Sequence, residues 1–343
     1  MTYPLPPFQI HRPASIQEVT DALASYPDAK LMAGGTDLMV NMRRRIAEPE
    51  HLISLAAVAE MRGIQEEKDA LVIGAMTTLE DLATHPQVEK FLPLLAQAAG
   101  LVAGPTLRAM GTLGGNILLD TRCRYYNQSY FWRQSNDFCL KKDGEVCHVA
   151  PGGKFCWAAF SGDTPAALLV LGAEVEITGQ AGAQWVALAD VYGSDGRWPV
   201  GGAAGGLEKG KVLTRVRIPK SVGTWHATYE KLRVRESIDF PLAGIALAMR
   251  MEQGAVAEIR VGLTGLNPRP VLLDGLDDLA GRKPDLALIS ELAKKANRAA
   301  KPMRTTTADP AYRRAMVTAL VERAAARLTP ELSQALEAQA RWA

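Results

Sequence analysis

Apolar positions along the chain change period several times, and each change marks an element. In RPASIQEVTDALAS, Ile16, Val19 and Leu23 recur at helical spacing. Ser15 with Glu18 forms a capping box, so a helix is expected to start at Ile16. Lys30 to Met32 reads as a short strand running into Ala33-Gly34-Gly35-Thr36-Asp37. From Leu38 the chain is apolar and then basic (Met42, Arg43, Arg44, Arg45), which predicts a short helix. HLISL and LVIGA alternate with helical stretches such as TTLEDLATHP and KFLPLLAQAAGLVA. The pattern mixes helix and strand without the regular βαβ repeat of a doubly wound sheet.

Residues 104–120 are turn-rich and contain Gly111-Thr112-Leu113-Gly114-Gly115-Asn116. Residues 121–160 lose the periodicity and collect aromatic residues: Tyr125, Tyr126, Tyr130, Phe131, Trp132 and Trp157. SGDTPAALLVLGAEV, from Ser161, resumes a regular pattern, so 121–160 reads as an insertion. From about Gly223 the texture changes again. PLAGIALAMRM and AVAEIRVGLTGL predict paired strands joined at Gln253-Gly254. ELAKKANRAA predicts a helix, and Asp309-Pro310 caps a long final one, AYRRAMVTALVERAAARL. The expected units are 1–57, 58–220 with the insertion, and a C-terminal α+β unit at 223–343.

Size and composition narrow the possibilities. At 343 residues, 48% hydrophobic and 22% charged, the chain can bury a substantial core in two or three domains. Its 39 basic and 37 acidic residues leave a net charge of +2, which argues against a nucleic-acid binder. No apolar run reaches the roughly 18 residues of a membrane span. MTYPLPPFQIHRPAS has no charged lead followed by an apolar stretch, so a cytoplasmic location is expected.

Two glycine stretches carry candidate binding chemistry. After a strand, Gly34 and Gly35 let the backbone turn and approach a ligand closely, and Thr36 adds a hydroxyl. Backbone N–H groups there could meet a phosphate. An ordinary strand-to-helix turn would use the same residues. Gly111 to Asn116 has the same character. Neither stretch has GxGxxG or GxxxxGK[ST] spacing, which disfavours a nicotinamide dehydrogenase or an NTPase. Asp163 sits at an expected helix start, either as an N-cap or as an acceptor for ribityl or ribose hydroxyls. In YEKLRVR, alternation would put Lys231, Arg233 and Arg235 on one strand face, either solvated or forming a positive wall beside a flavin.

The four cysteines of the chain, Cys123, Cys139, Cys147 and Cys156, all fall inside the insertion, spaced C-x15-C-x7-C-x8-C. Clustered thiols without a signal peptide favour a metal or redox role over a disulfide framework. The spacing has neither the CxxC knuckles of zinc sites nor the closely spaced units of common ferredoxins. Four-thiolate ligation sets no unique spacing, so an iron–sulfur cluster, zinc and free thiols all stay open on the residues alone. His148, beside Cys147, reads as a loop histidine rather than a ligand.

PFQIHRPASIQEV, LMAGGTDLMVNMR, LVIGAMTTLEDL, RAMGTLGGNI, GDTPAALLVLGAEV and YEKLRVRESIDFPLAGIALAM occur in this order. Together they resemble the FAD-binding medium subunits of the xanthine dehydrogenase family of molybdenum hydroxylases, over nearly the whole chain. The cysteine insertion resembles the extra loop of β subunits in the 4-hydroxybenzoyl-CoA reductase branch, which carries a [4Fe–4S] cluster. The resemblance implies an α+β protein: an FAD-binding fold of the vanillyl-alcohol-oxidase (PCMH) type in two subdomains, plus a C-terminal α+β domain of the CO dehydrogenase flavoprotein type. It implies FAD contacts at Met32, Ala33, Gly34, Gly35, Thr36, Asp37, Leu38, Arg108, Gly111, Thr112, Gly114, Gly115, Asn116, Asp163 and Lys231, and a cluster held by the four cysteines. Arg108 fits the family's RNxGTxGGN pattern, from which Ala109 departs. The implied function is electron transfer, without a catalytic acid, base or nucleophile on this chain. Electrons from a ferredoxin would enter at the [4Fe–4S] cluster. They would pass through FAD to two [2Fe–2S] clusters in a small subunit and molybdopterin-bound molybdenum in a large one, within an (αβγ)2 assembly. The alternatives are a flavin subunit of an oxidative hydroxylase and a zinc-stapled assembly subunit.

Overall fold

In the computed structural model, which describes residues 4–192 and 207–329, the first predicted helix runs Ile16–Ser25. The Ser15 hydroxyl accepts from the Glu18 N–H at 3.2 Å, as a capping box requires. The reciprocal contact is displaced by one residue, because the Glu18 carboxylate accepts from the Ala14 N–H at 2.8 Å instead. Val19, Thr20 and Leu23 form the buried stripe. Parts of the expected units that fall at 1–3, 193–206 and 330–343 lie outside the described residues.

Three sheets organise the described chain. The first is parallel: β1 (Gln9–His11), β2 (Lys30–Met32) and β3 (His51–Ser54), in the order β1-β3-β2. The second is antiparallel, in the order β4-β5-β8-β6-β7. Its strands are β4 (Ile64–Glu66), β5 (Ala70–Gly74), β6 (Glu174–Gly179), β7 (Gly182–Ala187) and β8 (Val212–Pro219). Every residue of β5 is buried, which explains why LVIGA reads as an unbroken apolar run. The apolar stretch predicted as one helix, KFLPLLAQAAGLVA, is divided: helices Pro86–Phe91 and Pro93–Gly100 meet at Leu92. Pro93 lacks the N–H that a continuing helix needs and instead starts the second helix.

The third sheet is antiparallel, in the order β12-β11-β10-β9: β9 (His226–Leu232), β10 (Ala243–Glu252), β11 (Ala255–Thr264) and β12 (Val271–Leu272). β10 and β11 form the predicted hairpin, turning at Gln253 and Gly254, both with positive φ. β10 is buried on both faces. Ile245, Leu247 and Met249 pack with helices Leu286–Ala299 and Pro310–Leu328, whereas Ala246 and Ala248 join the core of the first two sheets. One strand therefore joins the two hydrophobic cores. No helix among the described residues is long and apolar enough to cross a membrane.

Arg313, in the last helix, is fully buried. It donates to the carbonyls of Leu242 at 2.9 Å and Met303 at 3.0 Å, to the Thr305 hydroxyl at 3.1 Å, and to the Gly265 carbonyl. Burial pushes its guanidinium down to about 10. Arg313→Leu strands these buried carbonyls, each costing roughly 1–3 kcal/mol. Urea denaturation should show a loss of about 3 kcal/mol or more; a loss below about 1 kcal/mol would mean that other groups take over the carbonyls.

Candidate functional site

The two glycine stretches meet. Residues 33–37 leave β2 and enter the helix Leu38–Arg43, and Gly35 has φ +71°, which favours glycine. Gly34 lies directly against the second stretch: a Cβ placed on it would stand 1.7 Å from the Met110 carbonyl oxygen. That second stretch is fixed from behind by Leu79 N–H to Gly111 O at 2.9 Å and Leu113 N–H to Thr77 O at 3.0 Å. Thr112 caps the helix Leu113–Ile117 by accepting from the Gly115 N–H.

Around this contact opens a cleft of about 1070 Å³, lined by residues 33–38 and by Gly111, Thr112, Gly114, Gly115 and Asn116. Its size suits a large cofactor. Four candidates stand outside the lining: Met32, Arg108, Asp163 and Lys231. Arg108 braces the wall, and Asp163 and Lys231 pair with each other behind it. Arg108 donates to Glu80 at 2.8 Å and to the carbonyl of Val102, a lining residue, at 3.2 Å. Asp163 occupies the N-cap position of Thr164–Val170, yet its side chain makes no cap bond, contrary to the N-cap reading. It accepts instead from the Tyr229 hydroxyl at 2.7 Å and from Lys231 at 3.0 Å, and Lys231 also reaches the Leu101 carbonyl at 2.8 Å. The side chains of this ion pair are 1% and 3% exposed. Burial pushes the Asp163 carboxyl upward, and Lys231 and Tyr229 pull it back.

The expected basic face Lys231, Arg233 and Arg235 does not form. β9 ends at Leu232, where the Leu242 N–H bonds its carbonyl and closes the connection to β10. Arg235 sits in the intervening loop, paired with Asp239 at 2.5 Å. Pattern reading also missed an aromatic group on the cleft: Tyr26 lies 4.3 Å from the His11 ring and 4.2 Å from that of His51. Tyr26 and His51 both line the cleft. These rings come from separate segments, and no local spacing signals them.

All four cysteines line one small cavity of about 10 Å³, together with Tyr125, Tyr126, Lys141 and His148. The segment that carries them closes at its base through a bridge between Arg122 and Ala159. Burial pushes the Cys123 thiol up to about 11, with backbone N–H groups of Tyr126 and Tyr125 lowering it and the Cys156 and Cys139 thiols raising it further. Burial raises Cys156 as well, opposed by Lys141. A ring nitrogen of His148 is hydrogen-bonded to the Phe138 carbonyl. Among the described residues no group of three or more His, Cys, Asp or Glu side chains is placed to hold a metal ion. The segment also grips the glycine turn. Arg122 pairs with Asp37 at 2.5 Å, and buried Arg133 donates to the Arg45 carbonyl at 2.7 Å and the Arg44 carbonyl at 3.1 Å.

The FAD-binding domain of molybdopterin dehydrogenases matches residues 6–221, and the CO dehydrogenase flavoprotein C-terminal domain matches residues 227–328. The chain belongs to the FAD-binding medium subunits of the xanthine dehydrogenase and CO dehydrogenase family. It is 32% identical to the carbon monoxide dehydrogenase medium chain of Hydrogenophaga pseudoflava over 321 residues, covering 93% of this chain and 96% of that one. It is 31% identical to the aldehyde oxidoreductase FAD-binding subunit PaoB of Escherichia coli K12, covering 73% and 79%. A solved carbon monoxide dehydrogenase of Hydrogenophaga pseudoflava, lacking the Mo-pyranopterin moiety, superposes with a TM-score of 0.75 at 30% identity, covering 94% and 96%. The α+β class, with an FAD-binding domain followed by the flavoprotein C-terminal domain, is therefore as expected. The chain is an FAD subunit of a molybdenum hydroxylase.

Two outcomes test the medium-subunit cleft. Gly34→Ala forces the turn away from Met110 at a strain of roughly 1–3 kcal/mol, so FAD affinity in a fluorescence titration should fall about tenfold. Unchanged affinity would dissociate the turn contact from flavin binding. Lys231→Met or Asp163→Asn should each destabilise the fold by about 3 kcal/mol, because each leaves a buried group unpaired. In denaturant unfolding the double variant should lose clearly less than the two losses added; simple additivity would mean the pair does not act as one.

Proposed function

We propose that this chain is the FAD- and [4Fe–4S]-carrying electron-transfer subunit of a molybdenum enzyme that reductively removes the phenolic hydroxyl of 4-hydroxybenzoyl-CoA. The observation that carries this reading is the gathering of all four cysteines, from one aromatic-rich segment, around a single cavity beside the flavin cleft. Four thiols form the donor set of a cubane cluster, whose ligands surround a multi-atom core. Zinc would need them converging on one point, and its usual CxxC spacing is missing.

In this reading residues 33–37 and 111–116 hold the FAD pyrophosphate with backbone N–H groups and the Thr36 and Thr112 hydroxyls. Gly34 and Gly35 keep that surface free of side chains. Asp163, Lys231 and Arg108 keep the cleft wall in position, and Tyr26 and His51 offer ring surface at its edge. Bound FAD supplies one- and two-electron chemistry that couples single-electron centres to a two-electron reaction. Removal of an aromatic hydroxyl needs strongly reducing electrons, and thiolate clusters reach potentials as low as about −700 mV.

The unit boundaries 1–57, 58–220 and 223–343 belong to the same reading. So do a cytoplasmic location, a ferredoxin donor, and partner subunits holding molybdopterin and two [2Fe–2S] clusters in an (αβγ)2 assembly. A second reading, an oxidative hydroxylase delivering electrons outward, is favoured by the carbon monoxide dehydrogenase and aldehyde oxidoreductase relatives.

Protein purified without oxygen should contain about four irons and four acid-labile sulfides per chain, with an EPR signal after reduction. Cys139→Ser should lose the iron and retain FAD. Zinc without sulfide, or full iron retention in the variant, would sink the cluster assignment. A cluster potential near that of a mild oxidant would favour the oxidative reading instead.

A further inference from the structure

Two residues belong to both cavities. Tyr126 and Lys141 line the flavin cleft on one side and the four-thiol cavity on the other. Tyr126 is buried and Lys141 nearly so, with its side chain 12% exposed. The Lys141 ammonium donates to Asp120 Oδ1 at 2.6 Å, to the Thr121 carbonyl at 2.5 Å and to the Thr121 hydroxyl at 2.8 Å. Those three acceptors match its three donors, so its orientation is set. The ammonium lies 4.9 Å from the Tyr126 ring centroid, within cation–π range.

The charges in this wall are arranged asymmetrically. Asp120 lines the flavin cleft but not the thiol cavity. Of this ion pair, both members line the cleft, whereas Lys141 alone lines the thiol cavity, where its charge acts on Cys156. A cation in a buried wall acts strongly on a neighbouring charge, because little water screens it.

We propose that Lys141 is a positioning residue that raises the electron affinity of the centre held by the four cysteines, its charge fixed between the two cavities by Asp120, Thr121 and Tyr126. The inference rests on the iron–sulfur reading above. A four-thiolate cluster carries net negative charge, and reduction adds one electron to it from an external donor. No bond to Lys141 forms or breaks. The nearby positive charge lowers the energy of the more negative, reduced state.

The test is an EPR-monitored redox titration of the full chain, prepared without oxygen and reduced with dithionite through mediators, with iron, sulfide and FAD contents measured alongside. In Lys141→Met the contents should match the unmutated chain while the cluster's electron affinity falls about tenfold, ~59 mV for one electron. Lys141→Arg should restore most of it. Asp120→Asn keeps an acceptor for the ammonium but removes the compensating charge, so the potential should move the other way. Three results would overturn the proposal: an unchanged or higher potential in iron-replete Lys141→Met, shifts of the same sign in Lys141→Met and Asp120→Asn, or loss of iron and FAD from both, which would make Lys141 only a structural stitch. Absence of iron and sulfide from the unmutated chain would instead overturn the cluster reading, and this inference with it.

Discussion

The approach of Gly34 to the Met110 carbonyl is the contact on which the shape of the cleft depends. Two backbone segments from distant parts of the chain touch where no side chain could fit. Their contact sets the floor of the cleft, and hydrogen bonds from Leu79 and Leu113 hold the second segment in place. A side chain at position 34 would separate the turns and displace the surface that both present. A backbone lining also carries polar N–H groups into a cleft without the rotamer freedom of side chains, which suits close recognition of a phosphate-bearing cofactor.

Behind that floor, rigidity comes from buried charge. The Asp163–Lys231 pair, tied to Tyr229 and Leu101, joins the start of one helix to β9 and to the end of the helix Pro93–Gly100. Such a pair is a poor source of net stability, since desolvation opposes its attraction. Its geometry is nevertheless demanding, because either partner alone would be stranded. β10 serves the same end by apolar means, with one face in each hydrophobic core. The C-terminal unit is thereby packed onto the flavin unit along a continuous strand rather than through a polar linker.

The cysteine segment is built into this frame. Arg122 and Arg133 clamp it onto the first glycine turn and the helix that follows, and Tyr126 and Lys141 form a wall common to both cavities. The thiol cavity and the cleft are therefore held in one frame and share a wall. The bulky residues of the segment divide their roles: Tyr125 and Tyr126 line the thiol cavity, whereas Phe131 is 70% exposed.

Much was legible along the chain because it is local. The helix at Ile16, the turn at Gln253-Gly254 and the cap at Asp309 follow from short-range periodicity, turn chemistry and capping, and the glycine stretches were recognisable from composition and order. Pattern reading failed where distant segments decide. It extended β9 through Arg235, but the strand stops where Leu242 returns to pair with Leu232. It offered Asp163 as an N-cap, but Tyr229 and Lys231, far along the chain, capture its carboxylate. It could not see Tyr26 gathered against the rings of His11 and His51, or Lys141 lining two cavities. The sequence by itself determined the elements, the family and the thiol inventory, since these depend on neighbouring residues and their order. Only the tertiary structure decided which charges are buried together and which residues share a wall, because those depend on distances between segments that no local period encodes.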